Sequence, residues 1–376
     1  MRSVLNADHE RFRDQVRRFV EEHIAPFHAQ WERAGIVPRE LWRAAGECGL
    51  LCVMTPEEYG GAGADFGYSA VIIEELARVN ASGVGFSLHS DVVAPYLLAY
   101  AGEEQKRGWL PRMASGELIG AIAMTEPGVG SDLKEVRTSA LRDGGHYCIS
   151  GQKTFITNGT NCGLVIVVAK TDPDAGREGI SLICVEEGTP GFAKGRNLEK
   201  IGLHAQDTSE LFFTEVRVPI GNRLGEEGKG FKYLMHQLAQ ERLIVAVRAA
   251  ASMETMLEAT VAYTRERKAF GKPLFELQNT RFKLADARAQ SEMFRVFADD
   301  CLALHLRGVL TPERAAMAKL VGAEMQNRIL DDLLQLHGGY GYMSEYPIGR
   351  AWVDARVMRI LAGSSEIMRE IIARIL

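Results

Sequence analysis

The stretch that decides the fold of this chain is AIAMTEPGVGSD, residues 121–132, in which a short apolar run breaks into a glycine-rich polar turn. Apolar residues followed by turn residues predict a strand that ends in a loop. Because glycine tolerates positive φ and close approach of other groups, Gly128 and Gly130 are expected to bring the backbone near a ligand. Thr125 and Ser131 add short polar groups. The stretch therefore predicts a cradle for a flat polar ligand, and an ordered turn without a ligand is the alternative.

The glycine spacing in this stretch differs from that of a dinucleotide-binding fingerprint. Gly128 and Gly130 form a G-x-G pair, but Leu133 stands where the third glycine should fall. The stretch therefore does not predict a doubly wound nucleotide-binding fold.

The region before this stretch carries helical signals. Apolar residues recur at helical spacing over residues 8–23, which predicts an amphipathic helix. Shorter helices are predicted at residues 40–48, 68–79 and 103–114, and an unusually apolar segment covers residues 82–100. We therefore predict an N-terminal all-α domain over residues 1–118.

Residues 119–224 carry a different pattern of short β-like segments. Runs rich in β-branched and aromatic residues occur at 147–149, 154–157, 164–169, 180–185 and 211–213. The Gly-Gly, Asn-Gly and Pro-Gly pairs between them are typical of turns. We predict a small, barrel-like antiparallel β domain whose first strand and loop are the stretch 121–132.

The sequence is helical again over residues 225–376. Long amphipathic stretches cover residues 231–266, 275–307, 312–338 and 351–374, with glycines between them. Four long helices with short connections predict a four-helix bundle. The chain is thus expected to be an α+β protein in which an all-α domain, an antiparallel β domain and a helix bundle follow one another.

Composition excludes several classes of protein. The formal net charge is −5, with 44 basic and 49 acidic residues, and no basic cluster predicts nucleic-acid binding. The six cysteines form no C-x-x-C pair and the nine histidines form no H-E-x-x-H motif, so no metal site is predicted. No apolar run has the ~20 residues of a membrane span, and no signal or transit segment opens the chain. We therefore expect a cytoplasmic protein with reduced thiols, unless a presequence has been removed.

One acidic residue falls on the apolar face of the first predicted bundle helix. Glu241 lies on the stripe that Leu234, Leu238 and Val245 form at 3.6-residue periodicity, and Arg242 lies at its edge. A carboxylate that faces a core is costly unless it is paired or has a chemical role. Two explanations are open. Glu241 is ion-paired to Arg242 or to another helix, or it is a general base that Arg242 tunes or orients.

Two further stretches have unusual composition. RERKAFGK, residues 265–272, places cations beside an aromatic ring at a helix end, which suits a pyrophosphate but also a solvated helix terminus. QLHGGYGY, residues 335–342, is dense in glycine and aromatic residues between two helices, where the backbone can approach a partner. Each motif is weak when taken alone.

Taken together, these signals resemble one family. AMTEPGVGSD at residues 123–132 and QLHGGYGYMSEYPIGRAWVD at residues 335–354 are similar to the two signatures of the acyl-CoA dehydrogenases. GQKTFITNG at residues 151–159 and RKAFGK at residues 267–272 are similar to two more of its motifs. The resemblance covers the whole chain. It implies an N-terminal helical domain, a middle β domain and a C-terminal four-helix bundle, with FAD between the last two.

The resemblance also implies where FAD and substrate bind. In this family one subunit contributes to the FAD site of its neighbour, so a homotetramer is implied, with Arg267 near the pyrophosphate of the adjacent subunit's FAD. Ser131 would lie near the CoA chain as well as near FAD. The residues that would contact FAD are Met124, Thr125, Gly130, Ser131, Phe155, Ile156, Thr157, Arg267, Phe270, Gln278, Gln335, Gly338, Gly339, Ser364 and Glu366.

The position of the catalytic base distinguishes the branches of the family. Many members carry it as the glutamate of a Y-E-G-T motif, but the matching residues 361–364 are LAGS here, so Ala362 stands in its place. The long-chain and isovaleryl branches carry the base on the first bundle helix, where LAQERL places Glu241 beside Arg242. The resemblance, closest to the long-chain branch, implies that Glu241 is the base. It also places Arg242, Gly363 and the backbone N–H of Ala362 at the substrate.

The reaction that the resemblance implies is FAD-dependent dehydrogenation of an acyl-CoA thioester to trans-2-enoyl-CoA, in the oxidation of fatty or branched-chain acyl groups. Glu241 would remove the α proton while the β hydride passes to flavin N5. Electrons would leave to an electron-transfer flavoprotein. The alternatives are a flavin monooxygenase or oxidase of the same fold and a non-catalytic subunit of a heteromeric dehydrogenase. The LAQERL match favours medium or long straight acyl chains.

Overall fold

Helices form the N-terminal third of the chain. In the computed structural model, which describes residues 2 and 4–376, six α-helices precede the first strand: α1 (Ala7–His23), α2 (His28–Ala34), α3 (Arg39–Glu47), α4 (Phe66–Arg78), α5 (Ala94–Tyr100) and α6 (Glu103–Ala114). α1 begins after Asn6, whose side chain accepts hydrogen bonds from the main-chain N–H groups of Asp8 and His9. A π-helical turn, Leu88–Val93, directly precedes α5 inside the apolar segment 82–100. The predicted helical domain is confirmed.

One eight-stranded sheet forms the middle of the chain. Its strands are β1 (Gly120–Ala123), β2 (Ser139–Asp143), β3 (His146–Thr157), β4 (Leu164–Lys170), β5 (Ile180–Glu186), β6 (Phe192–Asn197), β7 (Thr208–Pro219) and β8 (Arg223–Leu224). The pairing is mainly antiparallel, as predicted, in the order β6-β7-β3-β2-β4-β5-β8. The prediction was incomplete for β4, which lies parallel both to β1 and, where Ser139 faces Lys170, to β2.

The central strand β4 is buried on both faces. Leu164, Ile166 and Val168 pack in one apolar cluster with α5 and α6, whereas Val165 and Val167 pack inside the β domain. Alternation along a strand sends successive side chains to opposite faces, so β4 joins the helical layer to the sheet. This packing holds β1, and the glycine-rich loop that follows it, against the N-terminal helices.

Three long helices dominate the C-terminal part: α7 (Gly230–Glu266), α8 (Gln278–Leu306) and α9 (Pro312–His337). A short hairpin of β9 (Lys268–Ala269) and β10 (Lys272–Pro273) joins α7 to α8. The helical C-terminal domain is confirmed, but the prediction of one continuous helix at 351–374 is wrong. The chain instead forms α10 (Pro347–Ala355) and α11 (Ser365–Ala373). Between them Ala362 and Gly363 have φ values of 53° and 87°, which a right-handed helix cannot accommodate.

The connections between the three parts are short. α6 ends at Ala114 before β1 begins at Gly120, and β8 ends at Leu224 before α7 begins at Gly230. The predicted domain boundaries at 118/119 and 224/225 lie in these two connections. Among residues 2 and 4–376, no helix has the length and apolar content that crossing a membrane requires. Within the same residues, no group of three or more His, Cys, Asp or Glu side chains could hold a metal ion, and all six cysteines are free.

Candidate active site

Glu241 lies on α7 facing the N-terminal helices. Its half-buried carboxylate accepts a hydrogen bond from the hydroxyl of Tyr96 on α5, with 3.2 Å between Tyr96 Oη and Glu241 Oε1. Burial raises the pKa of Glu241 to about 7, although the Tyr96 hydrogen bond and the charge of Arg242 act in the opposite direction. In the described part of the chain no cationic group lies within 4.0 Å of the Glu241 carboxylate. The explanation that Glu241 is ion-paired to Arg242 or to another helix is therefore wrong.

Arg242, the residue after Glu241, and Lys319 form a pair of neighbouring buried cations. Arg242 is 4% exposed, its Nη1 is 3.5 Å from the carbonyl oxygen of Pro312, and burial lowers its pKa. Lys319 on α9 is fully buried and donates from Nζ to the carbonyl oxygen of Gly363 at 2.6 Å. Burial, and then the nearby charge of Arg242, lower the pKa of Lys319 to about 8. Arg242 therefore places positive charge beside Glu241, and Lys319 lies close to Arg242.

The loop between α10 and α11 is fixed next to α7. Ala362 packs on an apolar cluster that includes Val245, which lies one turn after Glu241 on α7. Lys319 donates a hydrogen bond to the carbonyl oxygen of Gly363, the next residue. The left-handed backbone at Ala362 is therefore fixed by this hydrogen bond and by the apolar packing of the Ala362 side chain. Ser364 then caps α11 by accepting from the N–H of Ile367, and Glu366 lies exposed in its first turn. The structure thus brings Ala362 and Gly363 to the same end of α7 as Glu241.

A buried lysine fixes the glycine-rich stretch onto strand β3. Lys153 Nζ donates to the Met124 carbonyl oxygen at 3.0 Å and to Glu126 Oε1 at 2.9 Å. Burial alone would raise the pKa of Glu126, but Lys153 and the N–H groups of Thr138 and Arg137 outweigh it and lower that pKa. This arrangement holds residues 124–126 beside the end of β3.

The end of β3 carries the predicted flavin-contacting residues. The Thr154 N–H donates to the Thr125 carbonyl oxygen at 2.9 Å, which joins the two segments directly. Phe155 has a φ of 58° and is 66% exposed, an unusual conformation for an aromatic residue that is typical of ligand sites. Thr157 Oγ1 accepts from Gln206 Nε2 at 3.1 Å, whereas the Ile156 side chain is buried in the β-domain core.

The glycines of the stretch do not use the left-handed conformation that glycine tolerates. Neither Gly128 nor Gly130 has a positive φ. A β-bridge between Glu126 and Val129 closes the turn with ordinary φ values. A Cβ atom at Gly128 or Gly130 would meet nothing within 4 Å, so the space beside the turn is open, and Ser131 is exposed at its end.

A second group of predicted residues meets at the other end of α7. Arg267, Gln335, Gly338 and Gly339 line one cleft of about 560 Å³. The Arg267 guanidinium lies over the ring of Tyr340, 5.3 Å from its centroid. At the tip of the β9–β10 hairpin Phe270 has a φ of 53° and is 93% exposed, and the exposed Gln278 begins α8. A cationic cleft beside exposed aromatic rings suits a ligand that carries both phosphates and a planar ring.

The two groups are far apart within one chain. Glu241 and Arg267 are separated by 26 positions of α7 and its C-terminal cap, which corresponds to about 39 Å along the helix axis. Within one chain the cleft at Arg267 therefore lies far from the carboxylate of Glu241.

Three residues of this region were not among the predicted site residues: Tyr96, Lys153 and Lys319. Lys153 stood in the GQKTFITNG motif, and that motif could have singled it out. Tyr96 and Lys319 carried no local signal, because each lies on an otherwise ordinary helix. His89 and Asp91, which share the segment with Tyr96, have structural partners: His89 accepts from the Gly120 N–H, and Asp91 accepts from Ser69.

Known protein families and structures resemble the chain over its whole length. Three family models match it: Acyl-CoA dehydrogenase, N-terminal domain, at residues 6–117, middle domain at 121–216, and C-terminal domain at 228–376. The long-chain specific acyl-CoA dehydrogenase, mitochondrial, of Sus scrofa is 51% identical over 376 residues, which are 100% of this chain and 87% of that protein.

Two solved structures extend the comparison. The acyl-CoA dehydrogenase from Geobacillus kaustophilus superposes with a TM-score of 0.98 at 49% identity, over 100% of this chain and 99% of the other. A glutaryl-CoA dehydrogenase from Mycobacterium smegmatis, in complex with FADH2, superposes with a TM-score of 0.91 at 30% identity, over 99% and 95% of the two chains. The likeness therefore includes a relative whose structure holds a reduced flavin.

Proposed function

This chain belongs to the acyl-CoA dehydrogenase family of flavin-dependent oxidoreductases, and we propose that with FAD it oxidises an acyl-CoA thioester to trans-2-enoyl-CoA. The observation that carries the proposal is Glu241, a carboxylate whose pKa burial raises to about 7 and which a single tyrosine hydroxyl holds. A carboxylate with a pKa near the working pH is suited to general-base catalysis.

The residues present fit FAD. Arg267 would hold its pyrophosphate, with Phe270, Gln278, Gln335, Gly338 and Gly339 beside it. Met124, Thr125, Phe155 and Thr157 would flank the isoalloxazine ring. The support is the cationic cleft at Arg267 and the two exposed phenylalanines in left-handed conformation. Bound FAD supplies the acceptor for the hydride from the substrate β carbon.

The protein itself handles the α proton and the charge that its removal creates. Glu241 takes the proton, and the backbone N–H of Ala362 donates to the thioester oxygen, which becomes more negative as the proton leaves. Arg242 and Lys319 are buried cations that favour negative charge in this region. Because Lys319 holds the Gly363 carbonyl, the N–H of Ala362 is oriented before substrate arrives.

The test of this function is an anaerobic titration of the purified, FAD-containing protein with straight and branched acyl-CoAs of increasing length. We expect the visible absorbance of oxidised flavin to be lost with medium or long straight chains, because LAQERL matches the long-chain branch and the long-chain relative is 51% identical. An electron-transfer flavoprotein should then reoxidise the enzyme. If no acyl-CoA removes the absorbance of the FAD-loaded protein, the proposal fails.

The separation of the two residue groups favours a homo-oligomer, and we infer the homotetramer that the family resemblance implies. If Arg267 serves FAD bound by an adjacent subunit, the distance of about 39 Å from Glu241 in one chain is no obstacle. Arg267→Ala should weaken FAD binding roughly 10- to 100-fold, because a charge-assisted phosphate contact is lost. Titration of apoprotein with FAD measures this, and Arg288→Ala, an exposed arginine of α8, is the matched control.

Mixed assemblies test the subunit arrangement. Co-expressed Glu241→Gln and Arg267→Ala chains should form some sites in which Glu241 of one chain faces FAD contacted by Arg267 of the other. Activity above that of either variant alone is therefore expected. If the mixture is no more active than the two separate variants, Arg267 does not act on a neighbouring subunit's cofactor.

A further inference from the structure

Tyr96 is the one side chain, among the described residues, that hydrogen-bonds to Glu241. We propose that Tyr96 is a positioning residue, whose hydroxyl fixes the Glu241 carboxylate so that one oxygen is held and the other faces substrate. The inference rests on the proposed function, in which Glu241 is the base. Tyr96 contacts the base rather than the reacting atoms.

The geometry assigns this role to the hydroxyl. Tyr96 is fully buried, and it packs in the apolar cluster that also holds Leu97, Ile122 and Leu234. A buried hydroxyl needs a partner, and the partner of this one is Glu241 Oε1 at 3.2 Å. Glu241 Oε2 has no hydrogen bond within the described residues, so it remains free to accept a proton. One fixed and one free oxygen is the arrangement that a positioned base requires.

A second contact ties the same segment to the residue before the base. Pro95 has no N–H and gives no main-chain hydrogen bond to the Asp91 carbonyl four residues earlier. That carbonyl accepts from Gln240 Nε2 at 2.6 Å, and Gln240 Oε1 lies 2.9 Å from His305 Nε2 on α8. The π-helical turn and α5 are therefore fixed to α7 at Gln240, directly beside Glu241, so the position of the Tyr96 hydroxyl is set by the fold.

Few charged groups bear on the protonation of Glu241. Burial raises the pKa of Glu241 to about 7. The Tyr96 hydroxyl on α5 and the charge of Arg242 on α7 both act to lower that pKa. Two titratable residues belong to elements that pack on α7: Asp91 in the π-helical turn and His305 on α8. Asp91 is hydrogen-bonded to Ser69 and His305 to Gln240, so neither contacts Glu241 directly. Tyr100, one turn after Tyr96, contributes to the raised pKa of Tyr96 but does not affect the pKa of Glu241. Loss of the Tyr96 hydroxyl should therefore raise the pKa of Glu241 further.

Tyr96→Phe tests this with the ring volume kept. Glutamate labelled with ¹³C at the side-chain carboxyl reports the protonation midpoint of Glu241 in the FAD-containing protein without substrate, and the Glu241→Gln spectrum assigns the signal. We expect the midpoint to rise by about one pH unit and flavin reduction at pH 7 to slow roughly 5-fold, because the ionised fraction of Glu241 falls from about one half to about one eleventh. Acyl-CoA affinity should be unchanged. Tyr100→Phe, which removes a hydroxyl one turn away, should leave both quantities as in wild type.

The readouts separate this inference from the proposed function. A higher midpoint in Tyr96→Phe, with an acid limb of the pH–rate profile displaced by the same amount, supports the positioning role. A midpoint equal to that of wild type overturns it, whatever the activity, since a purely structural role would change stability and not protonation. If wild-type flavin is reduced by no acyl-CoA while the midpoint still rises, the contact stands and the dehydrogenase function fails.

Discussion

Glu241→Gln should slow substrate-dependent flavin reduction by about 10²–10⁴-fold, the usual loss when a general base is removed. Glutamine keeps the size of the side chain and still accepts the Tyr96 hydrogen bond, but it cannot take the α proton. FAD binding should be unchanged, because the residues predicted to hold FAD are elsewhere. Stopped-flow measurement of flavin absorbance under anaerobic conditions gives the rate.

Stability distinguishes loss of chemistry from loss of fold in this variant. The pKa of Glu241 in the folded protein, about 7, lies above its ordinary value of 4.5. The stabilisation from its protonated form is therefore complete below pH ~4.5 and is lost as pH rises through ~7. Above pH 7 Glu241→Gln should be more stable than wild type by about 1–3 kcal/mol in urea unfolding.

A matched control is available on the same helix. Glu258→Gln makes the same chemical change at an exposed position of α7 and should leave the rate of flavin reduction unaltered. A Glu241→Gln protein that retained FAD and reacted at the wild-type rate would remove Glu241 from the mechanism.

Lys153→Met should lower the free energy of unfolding by about 3–5 kcal/mol, because it leaves the buried carboxylate of Glu126 without its cation. Lys153 is fully buried and Glu126 is 6% exposed, so water cannot replace the lost charge. The Met124 carbonyl also loses a donor, so the segment expected to lie beside the flavin is held to β3 less firmly, although the Thr154 N–H still donates to the Thr125 carbonyl oxygen. Weaker FAD binding should accompany the loss of stability, and urea unfolding with FAD titration measures the two effects.

Two controls show whether the buried ion pair is responsible. The double variant Lys153→Met with Glu126→Gln removes the uncompensated charge and should recover more than half of the lost stability. Lys134→Met breaks an exposed pair with Asp132 in the neighbouring turn and should cost less than about 1 kcal/mol. Equal losses in Lys153→Met and Lys134→Met would contradict the importance of burial.

Local patterns in the sequence were sufficient for the helical, β and helical order of the chain. The apolar stripe of α7, for example, depends on residues three and four positions apart, and the same stripe singled out Glu241 as a carboxylate on the wrong face. The cationic segment at Arg267 and the glycines at 338 and 339 were also identified from composition, and the structure places them in one cleft.

The break between α10 and α11 could have been predicted in part from the sequence. Gly363 and the capping residue Ser364 are helix-ending and helix-starting signals. The apolar periodicity on either side outweighed them in the prediction of a helix at 351–374. The left-handed conformation of Ala362 is not encoded locally, since alanine ordinarily avoids it.

Sequence by itself determined the main helices and strands before residue 351, the order of the three parts and the identity of the acid on α7. Only the tertiary structure decided what surrounds that acid. Tyr96 and Glu241 are 145 positions apart, and Lys319 is 44 positions from the Gly363 carbonyl that it holds. Periodicity and turn signals act over a few residues, whereas these hydrogen bonds form because packing removes the Tyr96 hydroxyl and the Lys319 ammonium from water and leaves each a single partner.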